Sequence, residues 1–255
     1  MMNFKRRTQP LYIQFYDLLQ MEMTNWRWSW RGLIILGMVT PLLSMVALGI
    51  FARDSGSEAM QYVLTGNVVI ALMFGIQNSV ESRFIFLKLN GSLAFYATLP
   101  VQKLALVFAV IVAFFLLGLP SIVATIFVGG WLLGVPLQLH PAVLLVIPLS
   151  AISVAGIGAL IGASARTMES ANAINLLVTF VLMSLGAVII PPSKLPGMLV
   201  EIGRISPATY AASALRQTLI GPVTSQLWID LIALAGFTLL VFWFVKRKLD
   251  WREGT

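Results

Sequence analysis

Six runs of about twenty mostly apolar residues, at 32–51, 62–82, 104–128, 143–165, 172–190 and 226–245, decide what this chain can fold into. Within hydrocarbon every backbone N–H and C=O must be satisfied inside the segment, so runs of this length fold as spanning helices. The composition agrees. Of the 255 residues 58% are hydrophobic and 11% charged, and the mean hydropathy is +0.90. The sequence predicts a single all-α polytopic membrane domain over 1–255 with six transmembrane helices.

The formal charge of +7 would suggest a nucleic-acid partner in a water-soluble protein. Here basic residues flank the spans. With the N-terminus in the cytoplasm, thirteen Lys and Arg fall on inner segments: Lys5, Arg6, Arg7, Arg27, Arg31, Arg83, Lys88, Lys103, Arg166, Lys246, Arg247, Lys248 and Arg252. Only Arg53, Lys194, Arg204 and Arg216 fall outside. The asymmetry predicts cytoplasmic N- and C-termini and leaves no basic excess for nucleic acid to explain. No secretory signal is expected, because KRR at 5–7 is followed by QPLYIQFYDLLQ, which has no uninterrupted apolar core.

Catalytic chemistry finds little support. There is no cysteine, so disulfides and thiolate metal sites are excluded. The one histidine, His140, stands in the loop GVPLQLHPAV and cannot form a histidine metal site alone. No Gly-Lys pair occurs, so the chain has no phosphate-cradling loop of the GxxxxGK[ST] type. It is read as a non-enzyme that binds no metal or cofactor itself, with any ATP used by another chain.

Between Gln9 and Arg27, the residues Tyr12, Phe15, Tyr16, Leu19, Met23 and Trp26 recur at helical spacing, which predicts an interfacial amphipathic helix within 9–30. Trp26, Trp28 and Trp30 beside Arg27 and Arg31 make an aromatic and basic anchor. Within the spans, Asn67, Gln77 and Asn78 in the second and Asn172, Asn175 and Ser184 in the fifth need polar partners. They serve either to line a translocation path or to tie helices together. Pro41, Pro120 and Pro148 interrupt helical hydrogen bonding. Gly158 and Gly162 form a small-xxx-small pair for packing within the chain or against another copy. No midplane charge pair is apparent, which disfavours an ion-driven carrier.

Two connections carry more information. In ESRFIFLKLNGSLAFYATLPVQK, residues 81–103, a short helix is expected between the helix breakers Gly91 and Pro100. In 191–222, prolines at 191, 192 and 196 end the fifth span, Leu195, Leu199 and Ile202 mark one short helix, and Pro207 breaks again. TYAASALRQTLI then is apolar enough to enter the bilayer yet too short to cross it. The segment reads as two external helices that re-enter the membrane.

With these pieces in order, the whole chain resembles the permease subunits of ABC-2 type exporters, the type V exporter fold. In that family the connection after the second span carries Gly-Thr and, nine residues after the glycine, a proline. Here Gly91 and Pro100 keep the spacing, with Ser92 for threonine and Leu99 between Thr98 and Pro100. The family's external segment has Leu-Pro, then Pro-x-Thr-Tyr and Ala-Leu-Arg, matched by Leu195, Pro196, Pro207, Thr209, Tyr210, Ala214, Leu215 and Arg216. The acid often found before Gly-Thr is missing, leaving Glu81 and Glu169 on that side.

The resemblance implies a bacterial cytoplasmic-membrane exporter subunit. Two cytoplasmic ATPase subunits carrying MgATP would dock on a coupling region at 84–100, with Glu81, Arg83, Gly91, Ser92, Thr98 and Pro100 as coupling residues. A second permease subunit, identical or related, would complete a path along Asn67, Gln77, Asn78, Asn172 and Asn175. Pro196, Pro207, Thr209, Tyr210 and Arg216 would form an outer gate. Small amphipathic molecules, lipids and lipid-linked glycans all suit such a subunit. A membrane scaffold of the same fold, or a secondary carrier, is the alternative.

Overall fold

The computed structural model describes residues 10–24, 31–32, 34–99, 101–184 and 188–248, and among them no β-strand occurs. Lys5, Arg6, Arg7, Trp26, Arg27, Trp28, Trp30, Pro100 and Arg252 lie outside the described residues. The helices are α1 (Leu11–Thr24), α2 (Thr40–Arg53), α3 (Ser57–Leu89), α4 (Ser92–Thr98), α5 (Lys103–Leu133), α6 (Val143–Ser164), α7 (Met168–Ser184), α8 (Gly197–Gly203), α9 (Pro207–Leu219) and α10 (Gln226–Lys248).

Four of them, α3, α5, α6 and α10, are long and apolar enough to cross a membrane. The first and fifth expected spans are shorter apolar helices, Gly37–Arg53 and Met168–Ser184. Local chemistry explains where α7 begins. Thr167 and Ser170 cap it reciprocally, each side-chain oxygen accepting the other's backbone N–H at 3.1 Å, so it starts before residue 172. It also ends earlier than expected, with bends at 188–190 ahead of the prolines. Pro41 stands directly after the π turn Ile35–Val39, inside the helix Gly37–Arg53. Pro120 and Pro148 stand inside α5 and α6.

Buried α3 is the centre of the molecule, packed against α2, α5, α6, α7 and α9. Its crossing with α6 depends on two glycines four residues apart. A Cβ on Gly158 would strike the Gln77 carbonyl, and one on Gly162 the Glu81 carbonyl. Small residues thus let the two backbones meet, and packing within the chain uses this pair. Lys88 closes the same seam by donating from Nζ to the carbonyls of Ala163 at 3.3 Å and Ala165 at 3.2 Å, at the C-terminal end of α6. On its other face α6 meets α10, where Ser153 Oγ and Thr238 Oγ1 lie 2.7 Å apart.

α9 is wedged among α3, α6 and α10, burying Ala208, Ala211, Ala212, Leu215 and Leu219. The loop before α6 satisfies its last carbonyls: Gln138 N–H donates to Leu219 O at 2.8 Å and His140 N–H to Thr218 O at 2.9 Å. His140 Nδ1 accepts the Ala142 N–H, so the lone histidine shapes a loop. α8 stays at the surface, with Met198 75% exposed.

Candidate functional site

Three groups of expected site residues fall in three places. The first lies between α3 and α7. A wide π turn at Leu72–Gln77 ends on the first of two consecutive amides, Gln77 and Asn78, which straddle Asn175 of α7. Gln77 Nε2 donates to Asn175 Oδ1 at 2.7 Å and to Thr179 Oγ1 at 3.1 Å, and Asn175 Nδ2 donates to Asn78 Oδ1 at 3.1 Å. Beside this network opens a cleft of about 310 Å³, lined by Asn78, Asn172, Asn175 and Thr179 together with Met73, Phe74 and Leu176. The structure therefore brings Gln77, Asn78, Asn172 and Asn175 together. Asn67 stands apart, fully buried, with Nδ2 donating to Val63 O at 2.8 Å along its own helix.

Thr179 is a member of this group that the sequence reading missed. Its signal was available: Asn172, Asn175 and Thr179 follow i, i+3, i+7 spacing, one stripe of a helix.

The second group surrounds α4. Gly91 ends α3 in the left-handed conformation, φ +69°, and its N–H bonds back to Lys88 O at 3.2 Å. The helix from Ser92 buries Leu93 and Tyr96 and leaves Phe95 58% exposed. Thr98 Oγ1 donates to Phe95 O at 2.8 Å. Pro100, expected to end this element, lies outside the described residues.

α1 ties together the three elements that meet here, the end of α3, α4 and the start of α5. Arg83 donates to both carboxylate oxygens of Glu22 at 2.8 Å, Tyr96 Oη lies 3.5 Å from Met21 Sδ, and Gln14 Oε1 accepts the Gln102 N–H at 2.9 Å, where α5 begins. Burial, with the Glu22 carboxylate beside it, pushes the Tyr96 phenol above its ordinary pKa. Arg83 is thus engaged inside the chain. Glu81 is buried against α6, accepting from Ser82 Oγ at 3.3 Å. The inward turn of Gln14 and Glu22 was hidden in the sequence, since their partners lie more than 60 residues away. Tyr12 and Tyr16 are exposed.

The third group is the segment at 191–222. Pro196 precedes α8 and Pro207 starts α9. Tyr210 Oη donates to Arg204 O at 2.8 Å and joins the two helices, while Thr209 N–H bonds to Ser206 O at 3.2 Å. Arg216 packs its guanidinium 3.4 Å from the ring centre of Tyr62 on α3. Nearby Asp230 is held by Gln217 and Gln226, each donating at 3.0 Å.

Among the described residues no cluster of three or more His, Cys, Asp or Glu is placed to hold a metal. The arrangement is therefore a polar cleft, a mounted surface helix and a packed cap. A comparison with curated proteins gives no match. The family model described as ABC-2 type transporter matches residues 13–220, which contain the first two groups and the third as far as Ile220. This chain belongs to the ABC-2 type transporter family, whose members supply the membrane-spanning permease component of ABC transporters.

Proposed function

We propose that this chain is the permease subunit of an ATP-driven exporter of the bacterial cytoplasmic membrane. It works as a pair of permease subunits with two ATPase chains that carry MgATP. α2, with the turn Ile35–Val39 before it, and α7 complete six spans, and both termini face the ATPases. The coupling region at 84–100 receives the ATPase, and motion there reaches the cleft through α3, which is continuous from Asn78 to Leu89. α8 and α9 re-enter from the outside as the gate.

The observation that carries this reading is α4. A seven-residue helix with two buried anchors, Leu93 and Tyr96, turns Phe95 outward from a seat built by α1 and α3. An exposed aromatic on a firmly seated short helix suits a partner groove, because the seat passes displacement on without yielding.

The test is purification of the tagged chain from gently solubilised native membranes, with mass spectrometry and an MgATP hydrolysis assay. A stoichiometric partner containing a phosphate-binding loop, with measurable turnover, is expected. A preparation without such a partner across several detergents would overturn the proposal.

A further inference from the structure

We infer that the cleft between α3 and α7 receives the uncharged, oxygen-rich headgroup of an amphiphile. This rests on the permease reading and specifies what the path accepts.

The direction of the hydrogen bonds carries the argument. Gln77 is fully buried and gives two hydrogen bonds toward α7, one to Asn175 Oδ1 and one to Thr179 Oγ1. Asn175 passes a bond on to Asn78 Oδ1. The acceptor oxygens of Asn175 and Asn78 are thereby engaged. What these two residues still have to offer is mostly N–H: a second proton on Asn175 Nδ2 and both on Asn78 Nδ2, against one remaining lone pair on each oxygen.

Thr179 adds a third donor. Thr125, Thr218 and Thr238 each donate Oγ1–H to the carbonyl four residues back, at 2.7 to 2.8 Å. Thr179 makes no such bond among the described residues. Its oxygen accepts from Gln77, and its proton remains for a ligand. Asn172, at the exposed rim, adds an amide able to donate or accept.

The lining excludes ions. None of the seven lining residues carries a charge. An ammonium group would find only neutral amide and hydroxyl oxygens, already partly engaged, and no carboxylate to balance it. A phosphate or carboxylate leaving water would find donors but no Lys or Arg, and an unpaired ion is costly in such surroundings. Carbonyl, ether and hydroxyl oxygens match the donors at no charge cost. Met73, Phe74 and Leu176 give the same cleft an apolar side for the adjoining hydrocarbon. Its volume of about 310 Å³ suits a headgroup, with the tail left in lipid.

The test uses three photoreactive probes with one diazirine-bearing dodecyl tail: a glucoside, a phosphate and a trimethylammonium. Each is added to membranes containing the full-length protein with its native partners, and adducts are mapped by mass spectrometry. The glucoside should label the α3 and α7 segments around Met73 and Leu176 about tenfold more than either charged probe. Asn78→Leu and Thr179→Val should each remove most of that labelling. Asn172→Leu, an exposed position with no hydrogen bond to lose, keeps the test valid should the buried variants fail to fold, and should reduce labelling severalfold.

Equal or stronger labelling by a charged probe would overturn the inference, as would a glucoside that labels neither segment. Labelling of the cleft in a protein that purifies without an ATPase would sink the permease reading and leave the inference standing. A bound ATPase with the glucoside adducts elsewhere would do the reverse.

Discussion

Arg83 of α3 and Glu22 of α1 form a two-bond ion pair, both contacts at 2.8 Å, in which Glu22 is 2% and Arg83 16% exposed. The pair fixes α1 to the C-terminal end of the central helix, directly beside Tyr96 of α4. Removing one partner leaves a buried charge unpaired. Glu22→Leu or Arg83→Leu should each cost about 3 kcal/mol, read as a lower unfolding midpoint of the purified chain. The exchanged pair Glu22→Arg with Arg83→Glu should recover part of that loss. Single variants as stable as the parent would show that the pair does not hold the clasp.

The glycine seam gives a second expectation. Gly158→Ala and Gly162→Ala place a methyl group against the Gln77 and Glu81 carbonyls, which cannot rotate away. Folded yield should fall sharply for both. Gly236→Ala meets nothing within 4 Å and should be neutral within about 0.5 kcal/mol, or stabilising through helix propensity. Size-exclusion profiles of the three variants decide it, and equal behaviour would disprove the seam.

Phe95 tests the docking surface apart from the fold. It is 58% exposed, so Phe95→Asp removes no core packing. The variant should keep its folded yield and lose at least about tenfold in ATPase retained on the tagged chain, a central aromatic anchor being worth about 2 kcal/mol or more. Unchanged retention would place the ATPase elsewhere.

Arg216 of α9 stacks on Tyr62 in the N-terminal half of α3. Tyr62→Phe keeps the ring under the guanidinium and should leave thermal stability nearly unchanged. Tyr62→Leu removes it and should cost about 1 to 2 kcal/mol. Arg216→Lys should also lose stability, because an ammonium cannot lie flat on the ring. Equal melting of the two Tyr62 variants would mean that the stack contributes nothing.

Hydrophobicity, spacing and breakers are local properties, and they determined much of this protein. The helical membrane class followed from runs such as 104–128 and 143–165, found within α5 and α6, because backbone in lipid has few alternatives. Gly91 announced the turn between α3 and α4, since its φ of +69° suits glycine best. The amides at 77, 78, 172 and 175 were readable as polar groups in need of partners, though not that Asn67 would bond to its own helix while Gln77, Asn78 and Asn175 share one network and Asn172 stands at the rim of the same cleft.

Pairing across the chain was decided only in three dimensions. Nothing local to Glu22 points to Arg83, nothing local to Tyr62 points to Arg216, and the orientation of Thr179 depends on a donor 102 residues before it. Even the start of α7 reflects a cap at Thr167 rather than apolar content alone. A sequence states what each residue must satisfy, while the choice of partner depends on which helices lie within about 3 Å of one another. That choice is made by packing the whole bundle around α3.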